Sequence, residues 1–298
     1  MKIGLRVDVD TLRGTRNGVP NLLRIMDKYG IRAAFFFSLG PDNMGRNLWR
    51  LLKPTFLWKM LRTNAASLYG MDILLMGTAW HGPNIGRRCA DVMRATEKAG
   101  HEIGLHAWDH YSWQAHVDGM SQSEIEAHLD KGHAALSEII GRSPDCSAAP
   151  GWKCTNDVLL AKEKYGFRYN SDCRGKSLFM PVVNGRRLKT PQIPQNLPTY
   201  DELLGINGVT EENYNRRLLD RLNPDGMNLL TIHAEAEGGK CQSLFERFVE
   251  MARSEGHEFA TPGELLPENV ETLPDGEIAQ GKLSGREGLV ALQNNVVQ

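Results

Sequence analysis

Short apolar runs rich in β-branched and aromatic residues alternate along this chain with stretches whose apolar residues recur at helical spacing. Ile3 to Val9 reads as a buried strand. The spacing predicts a helix over 18–29, with Pro20 in its first turn and Gly30 as its stop. Ala33 to Phe37 is the next strand, its consecutive phenylalanines suited to burial on both faces. A helix over 84–99 ends at Gly100 and feeds a strand at 102–105. Ser121 and Glu124 form a capping-box pattern opening a helix that runs to Ile140. Strands near 146–149, 168–171 and 228–232 are separated by helices near 155–165 and 211–222, and a last helix covers 242–255. Such alternation implies an α/β fold with a parallel sheet, and about seven strands are enough to curl into a distorted (β/α) barrel.

Two segments break the rhythm. Residues 41–80 are far longer than an ordinary connection. Between Asn43 and Met71 they contain no acid, while Arg46, Arg50, Lys53, Lys59 and Arg62 are interleaved with Leu48, Trp49, Phe56, Leu57, Trp58 and Met60. That mixture suits either a segment lying in a lipid interface or a helical lid with its basic side in water. Of this segment Trp49, Phe56, Trp58, Arg50, Lys53, Lys59 and Arg62 are the candidate membrane-interfacial residues. Residues 271–298 are polar and Gly-rich and read as a flexible tail. One folded domain is therefore expected ahead of that tail, insertion included.

The net charge of −1 gives no general argument for a nucleic-acid partner, and no protein partner is predicted. Five scattered cysteines, with no Cys-x-x-Cys, argue for a reducing compartment. No signal-peptide pattern and no run of apolar residues long enough to span a bilayer is present. The cytoplasm, or the cytosolic face of a membrane, is the expected location.

Asp8-Val9-Asp10 places two carboxylates at the carboxyl end of the first strand. His106-Ala107-Trp108-Asp109-His110 places two imidazoles four residues apart, one helical turn, just past another strand. Strand carboxyl ends are where parallel α/β folds assemble sites. One carboxylate and two imidazoles leave an open position on a bound metal, and the second carboxylate is then free to act as a base. Each motif has a plainer reading. The Asp pair could cap a loop or pair with Arg6, Arg13 or Arg16, and one histidine could simply help bury Trp108 and Trp113. His233 closes the strand 228–232, again at a carboxyl end, where it is either a satisfied core residue or a proton donor. Glu235 and Glu237 lie within reach to tune it or to contact substrate.

Taken in order, Asp-x-Asp, His101-Glu102-x-Gly104-x-His106-x-x-x-His110, the Pro150-Gly151 turn and a strand-terminal His233 resemble the polysaccharide deacetylase (carbohydrate esterase family 4) pattern over residues 1–265. Arg6-Val7-Asp8-Val9-Asp10-Thr11, Pro41 to Arg46, Leu105 to His110, Tyr169 to Gly175 and Thr231 to Glu235 resemble more closely the bacterial branch of that family that deformylates undecaprenyl-phosphate-linked formamido-arabinose. The resemblance implies a hydrolase of a linear amide bond. Its substrate would be that lipid-linked sugar at the cytosolic face of the inner membrane. Its product would serve lipid A modification and resistance to polymyxin and cationic peptides. It also implies the parts: Asp10, His106 and His110 hold one divalent metal, Asp8 is the base, His233 the acid, and a backbone N–H near Gly151 meets the oxyanion. Two histidines and a carboxylate suit zinc first, with manganese, cobalt or iron also suited. The chain departs from the family at Ala148, where many members carry an arginine that orients the base. Either another arginine takes that task, with Arg174 and Arg13 the candidates, or the base is tuned differently; Arg13, Arg174, Glu235 and Trp108 are expected around the site or the substrate. An N-deacetylase of another amino sugar, or a non-catalytic carbohydrate- or metal-binding module, are the alternatives. A mere binder would have no use for Asp8 or His233.

Overall fold

The computed structural model describes residues 1–46, 76–78, 81–284, 286 and 288–295. Its centre is a parallel sheet in which β1 (Lys2–Val9), β2 (Ala34–Ser38), β3 (Glu102–Ala107), β4 (Cys146–Ser147) and β5 (Tyr169–Asn170) follow one another in space as they do in sequence. On the other side of β1 lies β8 (Leu229–His233), while β9 (Glu258–Ala260) pairs with the start of β1 on the edge away from β8, since Gly4 is matched with both Leu229 and Ala260. This consecutive order is the barrel-type winding expected from the alternation, and the expectation of a curled parallel sheet with surrounding helices holds. The helices are α1 (Val19–Tyr29), α2 (Ile85–Lys98), α3 (His110–His116), α4 (Gln122–Ile140), α5 (Asn156–Lys162), α6 (Tyr200–Leu203), α7 (Tyr214–Leu219) and α8 (Gln242–Ser254). Ser121 caps α4 with Glu124 closing the capping box, as read from the sequence.

The alternation of β1 sorts its side chains into two layers. Ile3, Leu5, Val7 and Val9 join Phe35 and Phe37 in the cluster beneath the helices. The opposite face looks into the barrel, where Ala34, Phe36, Cys146, Ala148, Tyr169, Ile193 and Leu229 form a second, smaller core. Phe36 can occupy that interior because residue 104 lacks a side chain: a Cβ on Gly104 would come within 2.4 Å of its ring. The gap between β5 and β8 is bridged by irregular chain. Ile193 N–H donates to Asn170 O at 2.8 Å, Leu229 N–H to Asn196 Oδ1 at 2.7 Å, and the Thr231 hydroxyl to Gln195 Oε1 at 2.7 Å.

Two sequence expectations are corrected. Residues 275–295 are no loose tail. They form the antiparallel hairpin β10 (Asp275–Lys282) and β11 (Leu289–Asn295), which extends β6 (Met180–Val183) and β7 (Arg186–Arg187) into a second sheet. Their polar composition misled because much of the hairpin is solvent-facing, while Val290 and Ala291 are buried. His106 and His110 are not on one helix either: His106 ends β3 and His110 begins α3. The interfacial candidates Trp49, Arg50, Lys53, Phe56, Trp58, Lys59 and Arg62 lie outside the described residues.

Candidate active site

The carboxyl ends of β1, β3 and β8 meet, and the residues singled out at them come together. Asp8 pairs in register with His233 across β1 and β8. Asp10 Oδ1 stands 3.2 Å from His106 Nε2, and Asp10 Oδ2 stands 3.4 Å from His110 Nε2. Asp8 Oδ2 is 3.9 Å from His106 Nε2. Ligand atoms of Asp10, His106 and His110 lie within 4.8 Å of one another. Asp10 Oδ1 and His106 Nε2 are buried without a hydrogen-bond partner. Orphaned buried acceptors facing one another are costly unless a cation lies between them, so this donor set fits a divalent metal.

The surrounding groups hold the trio in place. His106 Nδ1 lies 2.8 Å from Ala148 O. A carbonyl can only accept, so this nitrogen carries the proton and Nε2 keeps its lone pair for a metal. Asp109 sets the start of α3 and thereby the position of His110. Its Oδ1 accepts from Ser112 N–H at 2.9 Å and its Oδ2 from Asn43 Nδ2 at 2.7 Å. Glu235 Oε1 accepts from the N–H groups of Asp10 (3.1 Å) and Thr11 (2.9 Å) and from the Thr11 hydroxyl (2.7 Å), fixing the turn that carries Asp10. Trp108, half-buried, lies over Gly40, where a Cβ would come 2.8 Å from its ring. Glu237 accepts the His233 backbone N–H at 2.8 Å.

Asp8 is gripped by an arginine of its own strand. Arg6 Nε donates to Asp8 Oδ1 at 2.6 Å and Nη2 to Asp8 Oδ2 at 2.7 Å, while Nη1 donates to Ser171 O at 2.6 Å and Ser171 Oγ at 3.1 Å. Arg6 is wholly buried and sits two residues before Asp8, so both side chains leave the same face of β1. The candidates Arg174 and Arg13 are corrected accordingly. Arg174 is engaged with Glu202 at 2.9 Å and with Leu197 O at 3.2 Å, and Arg13 is exposed. The i, i+2 spacing of Arg6 and Asp8 is the signal in the sequence for this pairing.

The electrostatics follow from this arrangement. Burial alone would raise Asp8, but the charges of Arg6 and His106 outweigh it and hold its pKa below the ordinary value. Burial likewise opposes the charge on Asp10, and the imidazoles of His110 and His106 pull its pKa down. Burial lowers His110. His233 moves the other way: burial would lower it, but Asp10, Asp8 and Glu237 raise it above its ordinary value. Burial, reinforced by Asp10, pushes Glu235 up to about 8.

The Ala148 to Trp152 turn forms the other wall. Asp172 Oδ1 accepts Ala149 N–H at 2.8 Å and Lys162 Nζ at 2.6 Å, pinning the turn from beneath. Gly151 takes φ +59°, a left-handed conformation that glycine adopts without strain. Among the described residues no helix is long and apolar enough to cross a membrane.

The polysaccharide deacetylase family model matches residues 3–170. The chain is 50% identical over 296 residues to a probable 4-deoxy-4-formamido-L-arabinose-phosphoundecaprenol deformylase of Shewanella sediminis, covering 99% of this chain and 96% of the relative. It is 42% identical over 288 residues to a protein of the same description from Wigglesworthia glossinidia brevipalpis, covering 96% of this chain and all of the relative. A crystal structure described as a probable polysaccharide deacetylase from Pseudomonas aeruginosa superposes with a TM-score of 0.60 at 17% identity, covering 89% of each chain. That likeness concerns the fold alone.

Proposed function

The chain belongs to the polysaccharide deacetylase family, and on that premise we propose that it hydrolyses the formamide of undecaprenyl-phosphate-linked 4-deoxy-4-formamido-L-arabinose, releasing formate and the 4-amino sugar lipid. The observation that carries the reaction type is the meeting of an arginine-held carboxylate, a metal-fitting Asp-His-His trio and a strand-terminal imidazole at one end of the barrel. The substrate is taken from the description shared by the two relatives.

Asp10, His106 and His110 would hold a divalent metal, zinc by preference of the donor set. Such an ion supplies Lewis acidity and lowers the pKa of a water. Asp8 removes the proton from the attacking water. Its two oxygens offer about four lone-pair sites, so accepting two bonds from Arg6 leaves capacity for that proton. Arg6 fixes the plane of the carboxylate and keeps it ionised. A backbone N–H at Gly151 meets the developing negative charge. His233, whose protonated form is favoured by Asp10, Asp8 and Glu237, gives a proton to the departing nitrogen, without which the amine cannot leave. Glu235 orients Asp10 rather than touching substrate.

The basic, Trp-bearing composition of residues 41–80 supports placing this segment in the headgroup region at the cytosolic face of the membrane, where a long-chain lipid substrate resides. The amino sugar formed there would serve to lower the negative charge of lipid A. Mass spectrometry of the formamido-arabinose lipid, before and after incubation with metal-loaded protein, tests the reading. The expected result is loss of one formyl group, and an unchanged mass defeats it.

A further inference from the structure

The C-terminal hairpin carries a cation to the rim of the site. β11 runs beside Arg174, which donates its N–H to Ala291 O at 2.8 Å and accepts the Gln293 N–H at 2.6 Å. In the turn between β10 and β11, Arg286 Nε donates to Glu202 Oε1 at 2.7 Å, and its Nη1 donates to Gly151 O at 3.4 Å. Arg174 Nη1 reaches both oxygens of the same carboxylate, at 3.1 and 2.9 Å. Glu202 also accepts the Thr199 N–H at 3.2 Å, and the neighbouring Asp201 accepts the Thr199 hydroxyl at 2.6 Å.

Trp152 joins this cluster to the catalytic groups. Its ring centroid is 4.2 Å from Arg286 Cζ, 4.8 Å from Arg174 Cζ and 5.4 Å from the Cζ of Arg6, the residue that grips Asp8. Its indole N–H is buried and has no partner. The plain function of these contacts would be to latch the hairpin down, and one guanidinium on Glu202 would do that. Glu202 and Asp201 face the two guanidiniums as two carboxylates, but neither contact of Arg286 uses its Nη2. The Arg286 side chain is 13% exposed, so its guanidinium can be reached from outside.

We propose that Arg286, backed by Arg174 and Glu202 across Trp152, is an anion subsite that takes the phosphodiester of the lipid-linked sugar while its formamide lies at Asp8 and His233. A guanidinium fork matches the oxygens of a phosphate, and the Trp152 ring sets the subsite one aromatic ring away from the arginine that holds the base. The hairpin is then part of the catalytic unit rather than an appendage to it. This inference rests on the deformylase reading.

The test compares two substrates: 4-formamido-arabinose carried on a short prenyl phosphodiester, and the uncharged methyl glycoside of the same sugar. In Arg286→Gln the preference for the phosphodiester, measured as the ratio of the two kcat/KM values, should fall roughly 10- to 100-fold, the loss of a charge-assisted contact, and mainly through KM. Arg286→Lys, which keeps the charge without the fork, should recover part of it. Farnesyl phosphate binding to the metal-loaded chain should weaken in parallel in Arg286→Gln, while farnesol binding serves as the uncharged control. An unaltered ratio, or an equal loss with both substrates, overturns the subsite and leaves only a latch. A wild-type chain that hydrolyses neither substrate overturns the deformylase reading instead, and farnesyl phosphate binding, which needs no turnover, still decides the subsite.

Discussion

Arg6→Met removes the buried guanidinium while roughly keeping its volume, and so asks what the grip on Asp8 contributes. Four hydrogen bonds disappear, two to Asp8 at 2.6 and 2.7 Å and two to Ser171 at 2.6 and 3.1 Å, from a side chain with no solvent exposure. The change leaves Asp8 as a buried carboxylate without its counter-charge, a situation that costs about 3–5 kcal/mol in measured cases. In a chain of this size each kcal/mol moves the melting temperature by roughly 2–4 °C, so a fall of about 6–20 °C is expected. Asp8→Asn on top of Arg6→Met should restore part of the loss, because the stranded charge is gone. A double-mutant cycle should therefore show coupling of about 1–3 kcal/mol. The three metal-fitting residues are untouched, so metal content should match the wild type. With the base free to rotate, kcat should fall about 100-fold. Arg6→Met that melts within about 2 °C of wild type and turns over at its rate would refute the role given to Arg6.

Three further outcomes are expected. Asp8→Asn should bind metal at wild-type stoichiometry yet lose hydrolysis, whereas His106→Ala should lose both; elemental analysis beside a rate assay separates them, and an active Asp8→Asn would sink the assigned base. Replacing Trp49 and Trp58 together by Ser should weaken association with anionic liposomes in a flotation assay while sparing turnover of a short-chain soluble substrate, and unchanged flotation removes the interfacial reading. Burial lowers the pKa of His101 from 6.5 to about 4, so the unfolded chain takes up this proton first as pH falls. Stability should thus decline between about pH 6.5 and 4, by at most about 3 kcal/mol from this group, and level off below. His101→Gln should flatten that part of a denaturation series run across pH.

The parallel sheet was legible because its strands are buried on both faces and so read as unbroken apolar runs, as at Ile3 to Val9 and the three phenylalanines. The trio of Asp10, His106 and His110 was legible from its place at strand ends. What escaped lacks that periodicity. The strand Asp275–Lys282 is mostly polar and exposed, and it is recognisable only through its pairing with Leu289–Asn295 and with Met180 and Pro181. The bridge at 190–197 makes some of its hydrogen bonds through side chains such as Gln195 and Asn196, which no hydropathy pattern reports. The support given to His106 by the Ala148 carbonyl belongs to the backbone, so residue type at that position carried no sign of it.

Because β1 pairs with β2, β8 and β9 at once, the earliest strand of this sheet in chain order is also the last to be fully enclosed. A ribosome emits Asp8 and Asp10 some two hundred residues before His233 and later still the hairpin that carries Arg286. By the time residues 146–147 emerge, β1 to β4 can zip in register and bring Asp10, His106 and His110 together. Glu235, whose carboxylate holds the turn of Asp10, and His233 come only afterwards, so the three donors meet before that turn is fixed. During that interval the missing closure of β8 leaves an open edge on β1 for chaperones to guard.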